Sequence, residues 1–273
     1  MRSTVVGFRV HEYSETATHT KMRILVALMH NQPAPAINPR NQIFEQKALP
    51  PTLLMIPTLN EEEAIGDLVT EARECGFSKI LVVDGFSADR TRQVAESAGA
   101  LVCLQEFGNG KGCAVRTGMR RFLEGDNEVL CIIDGDVTNV PSYVLKMVRA
   151  TGEGADVVLG SRIRGRRNPH AMGVLTFASN LSVSFLLGAK FRRLFTDVQT
   201  GYWAFSRNAV QRLYPLLHST GFEIELEIFT TSLREKLNVC EVPVGFRTRK
   251  GKSKFSFRLR LRNLYYAAKY LVS

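Results

Sequence analysis

From Pro51 onward the chain alternates short apolar runs with segments whose apolar residues recur at helical spacing. "TLLMIP" (52–57) predicts a strand. "NEEEAIGDLVTEARECG" (60–76) follows with acids in its first turn and a closing glycine, the marks of a helix. "KILVVD" (79–84) predicts a second strand, and "SADRTRQVAESAG" (87–99) a helix closed by Gly99. The alternation repeats through "ALVCLQ" (100–105), "GKGCAVRTGMRRFLE" (110–124), "EVLCIIDGD" (128–136) and "PSYVLKMVRAT" (141–151), the last opened by Pro141. "ADVVLGSR" (155–162) is a further strand. Apolar strands of about five residues alternating with helices predict an α/β fold. Its sheet is doubly wound and mostly parallel, with helices on both faces. Ligands of such sheets bind beyond the carboxyl ends of the strands. Asp84, Asp134, Asp136 and "GSR" (160–162) all fall there.

The second half is less regular. "TDVQTGYWAFSRNAV" (196–210) leads into a helix near Ala209–Leu217. "GFEIELEIFTTSLREKLN" (221–238) predicts a helix, "VCEVPVGF" (239–246) a late strand, and "RTRKGKSKFSF" (247–257) a basic loop. A terminal helix would carry Leu261, Leu264, Tyr265, Ala268 and Leu271 with Val272 on one face. Residues 1–47 show little periodicity and a Pro/Asn-rich stretch. They read as a partly disordered extension with a short ordered segment near Ile24–Met29. The division expected is therefore 1–47 extension, 48–257 main α/β domain and 258–273 basic amphipathic helix. The uncharged stretch Ala171–Ala189 carries Asn180, three serines, a threonine and two glycines, too polar for a lipid-facing span. The run "ILVALM" (24–29) is short and follows residues of mixed charge, unlike a signal peptide.

Composition adds two constraints. The 273 residues are 45% hydrophobic and 23% charged, ordinary for one large or two small domains. Five cysteines, an odd number with no C-x-x-C, suggest reduced thiols in a cytosolic protein. Of the net charge of +10, nine units lie between Pro243 and Ser273, which holds nine Lys or Arg and no acid. A localised basic tail suits an anionic partner: phosphate, membrane or nucleic acid.

The candidate chemistry gathers at strand ends. In an extended segment Asp134 and Asp136 point the same way, and a divalent cation relieves their repulsion. A few carboxylate oxygens completed by water and phosphate suit Mg²⁺ or Mn²⁺. "DGD" after a strand also begins turns. Asp84 can accept hydrogen bonds from a nucleobase or ribose, or cap the following turn. "GNGKG" (108–112) opens a helix, and its bared N–H groups with Lys111 favour phosphate; it also reads as a plain glycine-rich turn. Arg162, Arg164, Arg166 and Arg167 follow one strand, and Arg249, Lys250, Lys252 and Lys254 another. Two such clusters suit a phosphorylated substrate. Asp197, Glu223 and Glu225 are acids of the second half, Glu225 placed to orient a sugar or a basic residue. The five histidines show no metal-ligand spacing.

The stretches "IPTLNEEEAI", "LVVDGFSADRT", "GNGKGCAVRTGM", "IIDGD", "VLGSR", "TDVQTGYWAFSRNAV", "GFEIELE" and "EVPVGFRTRKGKSK" occur in this order over roughly 51–257. Together they resemble the inverting family 2 glycosyltransferases of GT-A fold, the nucleotide-diphospho-sugar transferase fold. Within these they are most similar to the dolichyl- or polyprenyl-phosphate sugar synthases, including archaeal N-glycosylation members. The resemblance implies that Pro57, Asn60, Glu61, Asp84, Lys111 and Asp134 bind the nucleotide. It implies that Asp134 and Asp136 hold the metal. Arg162, Arg164, Arg249, Lys252 and Lys254 would hold the acceptor phosphate. Asp197 and Glu225 match the family's acids, and with Asp134, Asp136 and Arg162 make up the implied catalytic set. Two departures stand out: glycine where the middle of D-x-D is commonly alanine, and Thr138 where mannosyl relatives often have glutamine.

The implied reaction moves a hexose or N-acetylhexosamine from a sugar nucleotide to dolichyl or polyprenyl phosphate. UDP-glucose or UDP-N-acetylglucosamine is favoured over GDP-mannose. No general base is evident, and a phosphate monoester with a second pKa of about 6 needs none. The expected location is cytoplasmic, peripheral on the inner face of the cell membrane, with the basic tail, the 162–167 loop and the apolar segment 174–187 on the bilayer. Two rivals remain. A nucleotidyltransferase would want a glycine-rich loop after the first strand. A nucleic-acid-binding module would leave the paired aspartates unexplained, so no nucleic-acid partner is expected.

Overall fold

A computed structural model describes residues 49–165, 173–250 and 257–272. The predicted N-terminal extension 1–47, Arg166, Arg167, Lys252 and Lys254 lie outside the described residues. In chain order the elements are β1 (Thr52–Thr58), α1 (Ile65–Glu74), β2 (Lys79–Asp84), α2 (Thr91–Ser97), β3 (Leu101–Leu104), α3 (Lys111–Glu124) and β4 (Val129–Ile132). They continue as α4 (Val144–Gly152), β5 (Val157–Ser161), α5 (Val174–Lys190), β6 (Trp203–Ser206), α6 (Arg207–Leu213), α7 (Ile224–Arg234), β7 (Val239–Pro243) and α8 (Phe257–Val272).

The strands form one seven-stranded sheet in the order β3-β2-β1-β4-β6-β5-β7. β1 pairs in parallel with β2 and β4, β2 with β3, and β5 with β7. β6 runs antiparallel to both β4 and β5, with Leu130 opposite Phe205 and Leu159 opposite Trp203. The alternation of side chains along each strand feeds two cores. Leu53, Met55, Leu81, Val83, Leu130 and Ile132 pack on one face with residues of α3, α5, α6, α7 and α8. Leu54, Ile56, Ile80, Val82, Val129 and Cys131 pack on the other with α1 and α4. Burial on both faces is why these strands read as unbroken apolar runs. Each fully buried Leu, Ile or Phe contributes about 1.5–3 kcal/mol, and Phe122→Ala in α3 would cost about 3–5 kcal/mol.

Three expectations change. "WAFS" is a strand, although the sequence read the stretch only as a lead into a helix. Three apolar residues and a serine are too short a run to show a period, and antiparallel insertion between β4 and β5 forms the strand. Its end, Ser206, caps α6 by accepting the Ala209 N–H at 3.1 Å. The helix placed at Ala209–Leu217 instead spans Arg207–Leu213 and tightens into a 3₁₀ turn, Tyr214–Leu216, at Pro215. On α8 the face carrying Leu264, Tyr265 and Ala268 turns to solvent, while Asn263 and Ala267 are buried and Tyr266 and Tyr270 pack on the core. α8 packs on α5 and α7, and that docking surface is partly polar. All five cysteines are free, as expected. Among the described residues no helix is long and apolar enough to cross a membrane.

Candidate active site

A cleft of about 460 Å³ opens at the carboxyl ends of β1 and β4. Pro57 and Thr58 close β1, Asp134 to Asp136 follow β4, and Arg162 follows β5. Lys111 enters from the first turn of α3, Glu225 from the first turn of α7, and Asn180 from α5. Glu61, Gly85, Gln105, Phe222, Phe246, Arg249 and Asn263 complete the lining with smaller neighbours.

Both aspartates of the DGD motif face this cleft, and each is met by a cation. The Lys111 ammonium lies 2.6 Å from Asp134 Oδ1 and 2.6 Å from Glu225 Oε1. Burial works against the Lys111 charge, but these two carboxylates outweigh it and raise its pKa above the ordinary value. Glu225 is shifted up, chiefly because burial disfavours its ionised form. Asp136 Oδ2 lies 2.7 Å from Arg249 Nη1, whose other nitrogen reaches Glu61 Oε1 at 2.5 Å. Thr138 donates from its hydroxyl (2.6 Å) and its N–H (3.1 Å) to Asp136 Oδ1, fixing the carboxylate from behind.

The backbone explains the aim of the pair. A Cβ on Gly135 would lie 2.7 Å from Thr58 Cγ2 and 3.2 Å from Pro57 O. The glycine thus admits the end of β1. Gly201, in the "QTG" turn before β6, is also forced: a Cβ there would lie 2.0 Å from Asp134 Oδ2. Val137, directly after Asp136, has φ +57°, rare for a β-branched residue.

Arg162 is held from three directions. Its Nε and Nη2 donate to Asp197 Oδ2 and Oδ1 at 2.7 and 2.8 Å, and Nη2 also donates to Gln199 O at 2.6 Å. Its guanidinium lies 5.3 Å from the Phe246 ring centroid. Burial opposes its charge, yet Asp197 prevails and raises its pKa. Asp197 is fully buried and positions Arg162 without lining the cleft. Its backbone N–H and that of Thr196 donate to Glu241 Oε1, each at 2.9 Å.

Other predicted residues sit elsewhere. The Asp84 carboxylate is fully buried and accepts from the Ser87 N–H at 2.9 Å, while its neighbour Gly85 and Gln105 form the wall. Asn60 accepts from the Ala88 N–H and stitches the loop after β1 to that after β2. Arg164 leans toward Glu241 at 3.8 Å, away from the cleft lining. Lys250 pairs with Asp67 on α1. At the end of the glycine-rich turn two N–H groups are engaged within the protein. Those of Gly112 and Cys113 donate to Thr220 O at 2.8 and 3.3 Å, and Gly110 has no room for a Cβ beside the same carbonyl. Lys111 alone carries that turn's charge to the site. The sequence reading passed over Gln105, Thr176, Phe222, Phe246 and Asn263 as cleft residues. Thr176, Asn180 and Ser184 carried a usable signal, recurring every four residues on an apolar helix.

Among the described residues no group of three His, Cys, Asp or Glu is arranged to hold a metal. The DGD pair offers two carboxylates on one cleft wall. That donor set fits a hard divalent cation that takes the rest of its oxygen shell from water and a bound anion.

Comparison with known proteins matches residues 54–214 to Glycosyl transferase family 2. Glycosyltransferase AglJ of Haloferax volcanii is 36% identical over 197 residues, 71% of this chain and 62% of that protein. The chain thus spans under two thirds of that relative. The dolichyl-phosphate hexose transferase of the same organism is 32% identical over 207 residues, 74% of this chain and 85% of that protein. Glucosyl-3-phosphoglycerate synthase from Mycobacterium tuberculosis, solved with Mn²⁺, UDP-glucose and phosphoglyceric acid, has a TM-score of 0.66 at 19% identity. The overlap covers 83% of this chain and 81% of that one. With these matches and the DGD pair at the strand ends, the chain belongs to glycosyltransferase family 2 and is a glycosyltransferase of GT-A fold.

Proposed function

We propose that this enzyme transfers a hexose or N-acetylhexosamine from a UDP-sugar to a dolichyl or polyprenyl phosphate, with inversion. One observation carries the reading. A single cleft sets the DGD carboxylates together with Arg162, a cleft-lining cation whose Nε–Nη2 edge is held by Asp197, which leaves Nη1 outside that pair for an anion. The names of the archaeal hexose transferase and of the UDP-glucose-bound neighbour are consistent with it.

Asp134 and Asp136 would hold Mg²⁺ or Mn²⁺ against the donor diphosphate. When bound, that ion supplies charge neutralisation for the departing group. Pro57, Thr58, Gly85 and Gln105 supply the nucleotide end of the cleft. Glu225 keeps Lys111 protonated and aimed beside Asp134, adding a fixed positive charge where the diphosphate leaves. Arg162 presents the acceptor phosphate, and Arg249 is the second cation proposed to contact it. A phosphate oxygen bonds the anomeric carbon while the bond from that carbon to the diphosphate oxygen breaks, its electron pair leaving with the diphosphate. The acceptor is a dianion near neutral pH, so no proton has to move. One displacement inverts the centre.

The membrane part of the proposal rests on exposed side chains. Phe185 and Leu186 on α5, Leu194 beyond it, and Leu264 and Tyr265 on α8 face solvent. α5 and α8 pack together, and Lys190, Arg192, Arg193 and Lys269 lie on these same segments. An apolar surface with basic neighbours suits an anionic bilayer.

The test is transfer from UDP-glucose, UDP-N-acetylglucosamine or GDP-mannose to polyprenyl phosphate with Mn²⁺. Chelation should abolish the activity. Replacing Asp134 and Asp136 by Asn should lower kcat by about 10²–10³-fold or more. Transfer untouched by both substitutions would overturn the mechanism, and preference for GDP-mannose would replace the donor.

A further inference from the structure

One buried amide lining the cleft has an acceptor without a donor. Asn263 on α8 is 2% exposed and faces the cleft, yet its Oδ1 has no hydrogen-bond partner among the described residues. Leaving such a group unpaired costs about 1–3 kcal/mol. Leucine, of similar volume, would avoid that penalty at a helix-packing position. The residue is also held still. Arg262 beside it donates to Glu223 Oε2 at 2.7 Å, and Ala267, one turn on, is buried. Lys190 on α5 donates to Tyr270 O at 2.7 Å, tying the two helices together.

The surroundings continue the theme. Thr176 and Asn180 stand one turn apart on α5 and line the same cleft. The next member of that row, Ser184, accepts the Val198 N–H at 3.0 Å and so has a structural partner. Asn180 reaches Asp197 Oδ1 at 3.5 Å, beside the Arg162 fork. This polar wall belongs to α5 and α8, whereas β1 and the segments after β2 and β3, assigned above to the nucleotide under the proposed function, line another part of the cleft. A carbonyl oxygen here requires an O–H or N–H. A phosphate dianion offers none, and neither does a polyprenyl chain. The transferred hexose offers several.

We propose that Asn263 reads the transferred sugar, its Oδ1 accepting a hydrogen bond from a hydroxyl or acetamido N–H of the donor's hexose. The proposal rests on the sugar-nucleotide reading of the cleft and adds a residue from outside the family-matched segment 54–214.

Titration calorimetry with UDP, UDP-glucose, UDP-N-acetylglucosamine and GDP-mannose, each with Mn²⁺, tests it on the full chain, Asn263→Leu and Asn263→Asp. Asn263→Leu should weaken the preferred sugar nucleotide by about 5- to 10-fold, the worth of one hydrogen bond, and leave UDP unchanged. Asn263→Asp, which keeps an acceptor oxygen, should retain most of the affinity. The Tm of Asn263→Leu should equal or exceed that of the parent, because an unpaired polar group is gone. Equal affinity of parent and Asn263→Leu for every sugar nucleotide would overturn the proposal. So would an equal loss for UDP and the sugar nucleotide, or a lowered Tm with unchanged affinity. A parent that binds UDP but no sugar nucleotide would overturn the reading of the cleft itself, and the proposal with it.

Discussion

Arg162 illustrates how little of a residue's role resides in its own side chain. Its position comes from Asp197, and that of Asp197 comes in part from Glu241, whose carboxylate gathers two successive backbone N–H groups. Asp197→Ala would leave a nearly buried guanidinium without its counter-charge. Urea denaturation should show a loss of about 3–5 kcal/mol, with the KM for the acceptor phosphate raised. Glu241 makes a second prediction. Burial raises its pKa above the ordinary 4.5, although the N–H donors pull the other way. An acid whose folded-state pKa is raised favours the native state below its unfolded value and loses that contribution as pH rises through the folded value. Stability should therefore fall above pH 4.5, and Glu241→Gln should flatten that limb of the stability–pH curve. Sequence alone made Asp134, Asp136, Lys111 and Arg162 legible, because charged residues at strand ends and helix starts stand out. It could not show that Asp84 and Asp197 point into protein. It also could not show Asn263, since a lone Asn on an amphipathic helix reads as solvated.

At the scale of elements, the segment after β7 departs most from expectation. The sequence reads it as a basic loop for the acceptor phosphate. In the structure Arg249 bridges Glu61 and Asp136, Arg247 pairs with Glu71, and Lys250 pairs with Asp67. These partners lie 113 to 188 residues away in the chain, a distance no local pattern encodes. Arg249 therefore competes with any cation for Asp136. Arg249→Ala should tighten Mn²⁺ binding in the absence of nucleotide, read from the free-Mn²⁺ resonance signal, by about 10-fold, equivalent to roughly 1.4 kcal/mol. Unchanged Mn²⁺ affinity would show that the ion pair is not what limits loading. The turn before β6 offers a parallel case. Gly201→Ala would push on Asp134, and displacement of about 1 Å can cost 10²-fold in rate. Activity should fall far more than Tm. The parallel strands were legible as apolar runs, whereas β6 was not, because its form depends on two neighbours that flank it only in the folded sheet.

For the whole molecule, the doubly wound sheet, its two cores and the cleft at the strand ends follow from the alternation of runs. The orientation of α8 does not, because Asn263, Tyr266, Ala267 and Tyr270 pack inward while Leu264 and Tyr265 face solvent. That exposed pair makes a surface prediction. A Phe185→Glu, Leu264→Glu double variant should lose flotation with anionic liposomes while keeping its Tm within a few degrees, since both positions are exposed. Flotation unchanged by the pair would remove α5 and α8 from the membrane contact. The cleft is also assembled from two lengths of chain, residues 57–138 and 162–263. Ion pairs Lys111–Glu225 and Arg249–Asp136 join them, so substitutions across those pairs do not add independently. A change of specificity in this architecture therefore calls for matched substitutions, one in each length.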